Sequence, residues 1–133
     1  MAKATFIERL VRAVAAVAAL LTCPALAHHS TAMFDDENPI ELTGTVVEWQ
    51  FENPHVFIVL EVDQEEGEST VWSLEGGSPN LIYRQGWKPD TLRPGDRITV
   101  TVHPLQSGAP GGNYRNIRWE DGEPIDPRAP RPE

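Results

Sequence analysis

Four histidines, His28, His29, His55 and His103, together with the carboxylate Glu75, are the residues whose types and placement bear most directly on chemistry. A chain that begins with histidine offers an α-amine and an imidazole as one chelate. One further imidazole completes a three-nitrogen, T-shaped donor set of the kind that suits Cu(II). Histidine in second position can also chelate through amine, amide nitrogen and ring. A neutral imidazole and an α-amine of low pKa are both available near pH 7. The candidate metal set is therefore His28, His29, His55 and Glu75, with copper as the candidate ion. His55 and Glu75 have a second reading, as a hydrogen-bonded pair that holds a loop. His28 and His29 can equally be a plain polar start.

The amine chelate requires His28 to be the first residue, and the leader supplies that condition. Lys3, Arg9 and Arg12 precede an apolar run, Ala13 to Leu21, and Pro24-Ala25-Leu26-Ala27 ends in the small-x-small pattern of a signal-peptidase site. The apolar run is about 10 residues, against about 20 for a membrane-spanning helix. Residues 1–27 are thus predicted to be a cleavable signal peptide, and the mature chain a periplasmic or secreted protein with no membrane contact after cleavage. Cys23 is the only cysteine and falls in the leader. The mature chain therefore has neither a disulfide nor a thiolate ligand.

Cleavage after Ala27 leaves 106 of 133 residues, enough for one domain with a modest core. It removes Lys3, Arg9, Arg12 and Glu8, which takes the net charge from −9 to −11. Such a chain repels phosphate backbones and anionic lipid. Nucleic acid is excluded as a partner on this ground; metal cations and basic protein surfaces fit.

The elements that must position these side chains are mostly strands. Residues 28–39 form a polar arm with an acidic cluster at Asp35, Asp36 and Glu37. Ile40 to Phe51 has a β pattern whose phase changes after Val46, which predicts a bulge near Gly44 and a strand that curls between sheets. Asn53-Pro54 is a turn signal. His55 to Asp63 alternates, with Val56, Ile58, Leu60 and Val62 on one face. Gln64 to Glu68 is a hairpin loop, and Ser69 to Glu75 is the third strand. Ser78-Pro79 starts a short helix that Gly86 stops. Arg97 to His103 is the fourth strand, Leu105 to Asn113 a Gly-rich flexible loop, and Tyr114 to Trp119 the fifth strand. Residues 120–133 read as a disordered Pro-rich tail.

Three strands, a helix and two strands, with a long bent first strand, predict a five-stranded OB-fold-like Greek-key barrel over 40–119. An open five-stranded sheet or small sandwich is the alternative. In the barrel, His55 enters strand two at the pole where Glu75 ends strand three. His103 is predicted at the other pole, about 30 Å from His55 along the first strand. The 11 residues before Pro39 reach about 35 Å when extended. The arm could therefore fold back so that His28 or His29 joins His55 and Glu75, the preferred arrangement, or stay near its root and meet His103.

His28-His29-Ser30, Asn53-Pro54-His55, Trp72-Ser73-Leu74-Glu75, Ser78-Pro79-Asn80, Gly86-Trp87 and Pro94-Gly95-Asp96 together resemble domain-of-unknown-function family 6152. The resemblance implies an exported β domain and no established activity.

Trp49 and Trp72 read as core residues, and Trp87 as a seal on the barrel base. On the alternative reading, Trp49 and Phe57 form a ligand-stacking face. No nucleophile elbow, phosphate loop or calcium loop is present, so no enzyme is predicted. Two functions remain: an exported binding module that takes copper, or a non-catalytic accessory module that binds a protein or small ligand on the barrel face. A copper redox enzyme is a third, for which nothing supplies a substrate.

Overall fold

Branched and aromatic side chains recur at every second residue through four stretches of the chain, and in the computed structural model these stretches are strands. The structure describes Glu8 and residues 31–130, so the rest of the predicted leader, with His28 and His29, lies outside the described residues. The chain divides into two units, Met1–Ser30 and Thr31–Glu133, and the second holds the strands and the helix. Strands β1 (Ile40–Gln50), β2 (Phe57–Asp63) and β3 (Ser69–Glu75) precede helix α1 (Pro79–Arg84). Strands β4 (Arg97–Pro104) and β5 (Gly111–Trp119) follow.

The five strands close into a barrel in the order β1-β2-β3-β5-β4, with β3 and β5 parallel and the other pairs antiparallel. This is the OB-type closed barrel with one short helix between β3 and β4, and not an open sheet. Val56, Ile58 and Leu60 of the β2 segment, Leu74 of β3 and Ile98, Val100 and Val102 of β4 are fully buried in the core. Each such side chain contributes about 1.5–3 kcal/mol of burial free energy. No helix among the described residues is long and apolar enough to cross a membrane.

The β1 bulge falls where the phase change predicts it, between Val46 and Glu48. Gly44 pairs with Val62 on one side and Ile98 on the other, so β1 changes partners there as it winds around the barrel. A Cβ at Gly44 would run into the Glu61 carbonyl, which explains the glycine.

Two segments depart from the sequence expectation. Strand β5 begins at Gly111, three residues earlier than predicted, because Gly111 and Gly112 form the parallel junction with Ser73 and Leu74 that closes the barrel. A Cβ on Gly112 would overlap Val102 Cγ1 and lie 2.6 Å from the His103 carbonyl oxygen. The glycines are therefore required by close packing, not by loop flexibility. The tail also differs from a disordered segment. Trp119 N donates to Glu123 O at 2.9 Å, Pro124 bridges Arg118, and Ile125 joins the core at 9% exposure. One isoleucine carries this anchoring, and a single apolar residue gives no periodicity for a pattern search to find.

Candidate functional site

The ladder between β2 and β3 continues past the strand end, with Val56 N donating to Gly77 O at 3.0 Å and Gly76 N to Val56 O at 2.8 Å. That extension holds His55 beside Glu75, at the N-terminal end of β2 and the C-terminal end of β3. Both lie on the outer face, opposite buried Val56 and Leu74. His55 Nδ1 contacts Glu75 Oε1 directly, and the two side chains are 31% and 26% exposed. The predicted His55–Glu75 neighbourhood is thus present.

A carboxylate against Nδ1 fixes the imidazole plane. When the ring is neutral it favours the tautomer with the proton on Nδ1, which places the lone pair on Nε2. Metal-binding histidines are commonly oriented in this way. Among the described residues, no group of three or more His, Cys, Asp and Glu side chains is arranged to hold a metal. The barrel therefore supplies a pair and not a complete coordination sphere.

His103 does not lie where the sequence places it. Phe57 pairs with Glu75, Glu75 with Asn113, and Asn113 with His103, so one row crosses four neighbouring strands. At about 4.8 Å per strand, His103 and Glu75 are about 10 Å apart along the sheet, and His55 and His103 about 16 Å. The expected 30 Å treated the length of β1 as the height of the barrel. In a sheared barrel β1 runs diagonally around the wall, so its ends, Ile40 beside Val102 and Gln50 beside Phe57, return to nearly the same row.

His103 is also the residue that the root of the arm meets. Asp36 Oδ1 lies 2.8 Å from His103 Nδ1, a close contact that is not angled as a hydrogen bond. Arg115 approaches the same carboxylate at 3.8 Å and hydrogen-bonds Asn113. Phe34 pairs with Leu105 and is buried, Asp35 N donates to Pro104 O at 2.8 Å, and Gln106 N to Met33 O at 2.9 Å. Asp35 and Asp36, from the acidic cluster of the predicted polar arm, thus organise this segment. The Asn38 side-chain amide on the Asp35 carboxylate holds it below its usual range. Asn113 and Arg115 carried no sequence signal, since their role follows from strand register alone.

The proposed stacking face is not available at Trp49. That ring is 8% exposed, packs on Phe51 and Trp87 at centroid distances of 5.6 and 6.1 Å, and donates Nε1–H to Lys88 O at 2.9 Å. It is a core residue, and Trp87 packs against it at the core's edge. Trp72 is half-buried, and its Nε1 has no hydrogen-bond acceptor among the described residues.

The chain matches the profile of a family of unknown function (DUF6152) over residues 15–114. It belongs to that family. The matched span includes the His28-His29-Ser30, Asn53-Pro54-His55 and Trp72–Glu75 motifs of this DUF6152 member. No curated protein matches the chain. Among solved structures, the mitochondrial single-stranded DNA binding protein Rim1 of S. cerevisiae is similar at 8% identity, with a TM-score of 0.46 over 62% of this chain and 94% of that one.

Proposed function

We propose that this protein is an exported, non-catalytic metal-binding module that takes copper, with His55 as the barrel's imidazole donor and Glu75 as the carboxylate behind it. The mature amino terminus, His28 and His29, supplies the remaining nitrogens once the leader is removed. The observation that supports this reading is the His55–Glu75 pair, an imidazole held by a carboxylate on a half-exposed wall. Two donors alone hold Cu(II) weakly. A chelating amine and imidazole from the chain start would raise affinity by making the further donors intramolecular. The acidic character of the chain, net −9, favours cations at its surface.

The test is mass spectrometry of the exported protein followed by Cu(II) titration. The reading expects a chain starting at His28 and one tight site, weakened at least about tenfold by His28→Ala and by His55→Ala. A chain starting elsewhere, or titrations that neither substitution changes, would end it in favour of an accessory module.

A further inference from the structure

Seven cationic side chains fall in residues 31–130; Arg84 sits at the end of helix α1, and the other six divide into two groups. Arg97, Arg115 and Arg118 each pair with carboxylates, at 2.8 and 2.7 Å for Arg97, 3.8 Å for Arg115 and 2.6 Å for Arg118. In a chain of net charge −9, carboxylate partners are plentiful. Lys88, Arg93 and Arg128 nevertheless make no ion pair with a described residue, and all three line one cleft of about 440 Å³. That volume lies within the usual range for small-ligand sites. Asp90, Glu123 and Asp126 line it too, so it holds charges of both signs. None of the six lies within 4 Å of an opposite charge in the cleft.

The cleft has fixed walls and open tips. One wall is the turn from Lys88 to Thr91, where Lys88 N donates to Thr91 Oγ1 at 2.8 Å and Thr91 N to Lys88 O at 3.0 Å. Trp49 Nε1–H ties the same carbonyl to the core at 2.9 Å. The other wall is the tail, held by Trp119 N on Glu123 O at 2.9 Å and by buried Ile125. Trp119, Pro124 and Pro127 add an apolar surface. Walls fixed in advance lower the ordering cost of a ligand. Trp119 is six residues along β5 from Asn113, about 20 Å, so this cleft is separate from the His55–Glu75 pair.

We propose that the cleft binds a small zwitterion, an amino acid or the terminus of a short peptide. Its carboxylate meets Lys88, Arg93 and Arg128, its ammonium meets Asp90, Glu123 and Asp126, and an apolar side chain lies on Trp119. A simple anion would leave three carboxylates facing it, and a simple cation three basic groups. Only a ligand with both signs uses both sets, and charge-assisted hydrogen bonds make each contribution selective.

The experiment is amide and indole NMR titration of the processed full chain with three probes: L-phenylalanine, N-acetyl-L-phenylalanine and L-phenylalanine amide. The proposal expects saturable shifts at the Trp119 indole and the Thr91 and Ile125 amides with phenylalanine. Each blocked probe should bind at least about fivefold more weakly. Arg128→Gln and Glu123→Gln, both at exposed positions, should each weaken phenylalanine to a similar extent without changing the spectrum elsewhere. No saturable shift up to tens of millimolar overturns the proposal. So does equal binding of the acetylated probe, which would make the cleft a plain anion site, or binding that both charge substitutions leave unchanged.

Discussion

Replacing Ile125 with alanine tests whether the C-terminal segment belongs to the core. The side chain is 9% exposed and packs in the same cluster as Leu92 and Ile117. The substitution removes three carbons, and at ~0.8 kcal/mol for each buried methylene the lost transfer free energy is about 2.4 kcal/mol. The tail lies at the edge of the core and can settle inward, so the cavity contribution is small. The total should then fall near the lower end of the 2–5 kcal/mol range for Ile→Ala, at about 2.5–3 kcal/mol. For a domain of about 100 residues, each kcal/mol moves the melting temperature by roughly 4–8 °C, giving a fall of roughly 10–24 °C. Scanning calorimetry of Ile125→Ala beside the exposed-site control Pro130→Ala measures it directly. A melting temperature within about 3 °C of the parent would refute the placement of this segment in the core.

Gly112→Ala should destabilise by about 2–3 kcal/mol or more, because the atoms a Cβ would meet include backbone that cannot rotate away. Gly108→Ala, where a Cβ meets nothing within 4 Å, should cost about 1 kcal/mol from its positive φ alone, and urea melts of the pair compare them. Burial pushes the Tyr114 phenol above its usual 10.0, so its folded-state pKa is raised and the resulting stability is lost as pH rises beyond about 10. In Tyr83→Phe, where Tyr114 is the remaining tyrosine, phenolate absorbance at 295 nm should appear only together with alkaline unfolding. The Glu41 and Glu120 carboxyls are held below 4.5 by hydrogen bonds from Arg118 and Arg97. Their contribution is present above that value and is lost as pH falls through the lower folded-state range. Melting temperature should therefore drop below about pH 4.5, and less steeply in Arg97→Gln.

The alternating strands were legible in the sequence because burial on one face of a strand writes itself as period two. Val56 to Val62 and Ile98 to Val102 are such stretches, and the bulge after Val46 appeared as a break in that period. The β2–β3 hairpin is local, so His55 and Glu75 could be placed together from spacing and loop length alone. His103 was misplaced because its position depends on how β4 and β5 register across a sheared, closed sheet, which is a property of the whole barrel. Gly111 and Gly112 read as a loop because glycine looks the same in a sequence whether it gives freedom or allows close approach. The Ile125 anchor was hidden among prolines, and the unpaired charges around Lys88 and Arg128 come together only through the fold of the tail.

In the proposed site, His55 places an imidazole nitrogen on copper. Electron spin-echo envelope modulation of the processed protein, loaded with one equivalent of Cu(II), counts coordinated imidazoles. The count should fall by one in His55→Ala, and Glu75→Gln should keep the count while weakening the affinity. An unchanged imidazole count in His55→Ala would contradict the claim and leave the barrel histidine as a structural partner of Glu75.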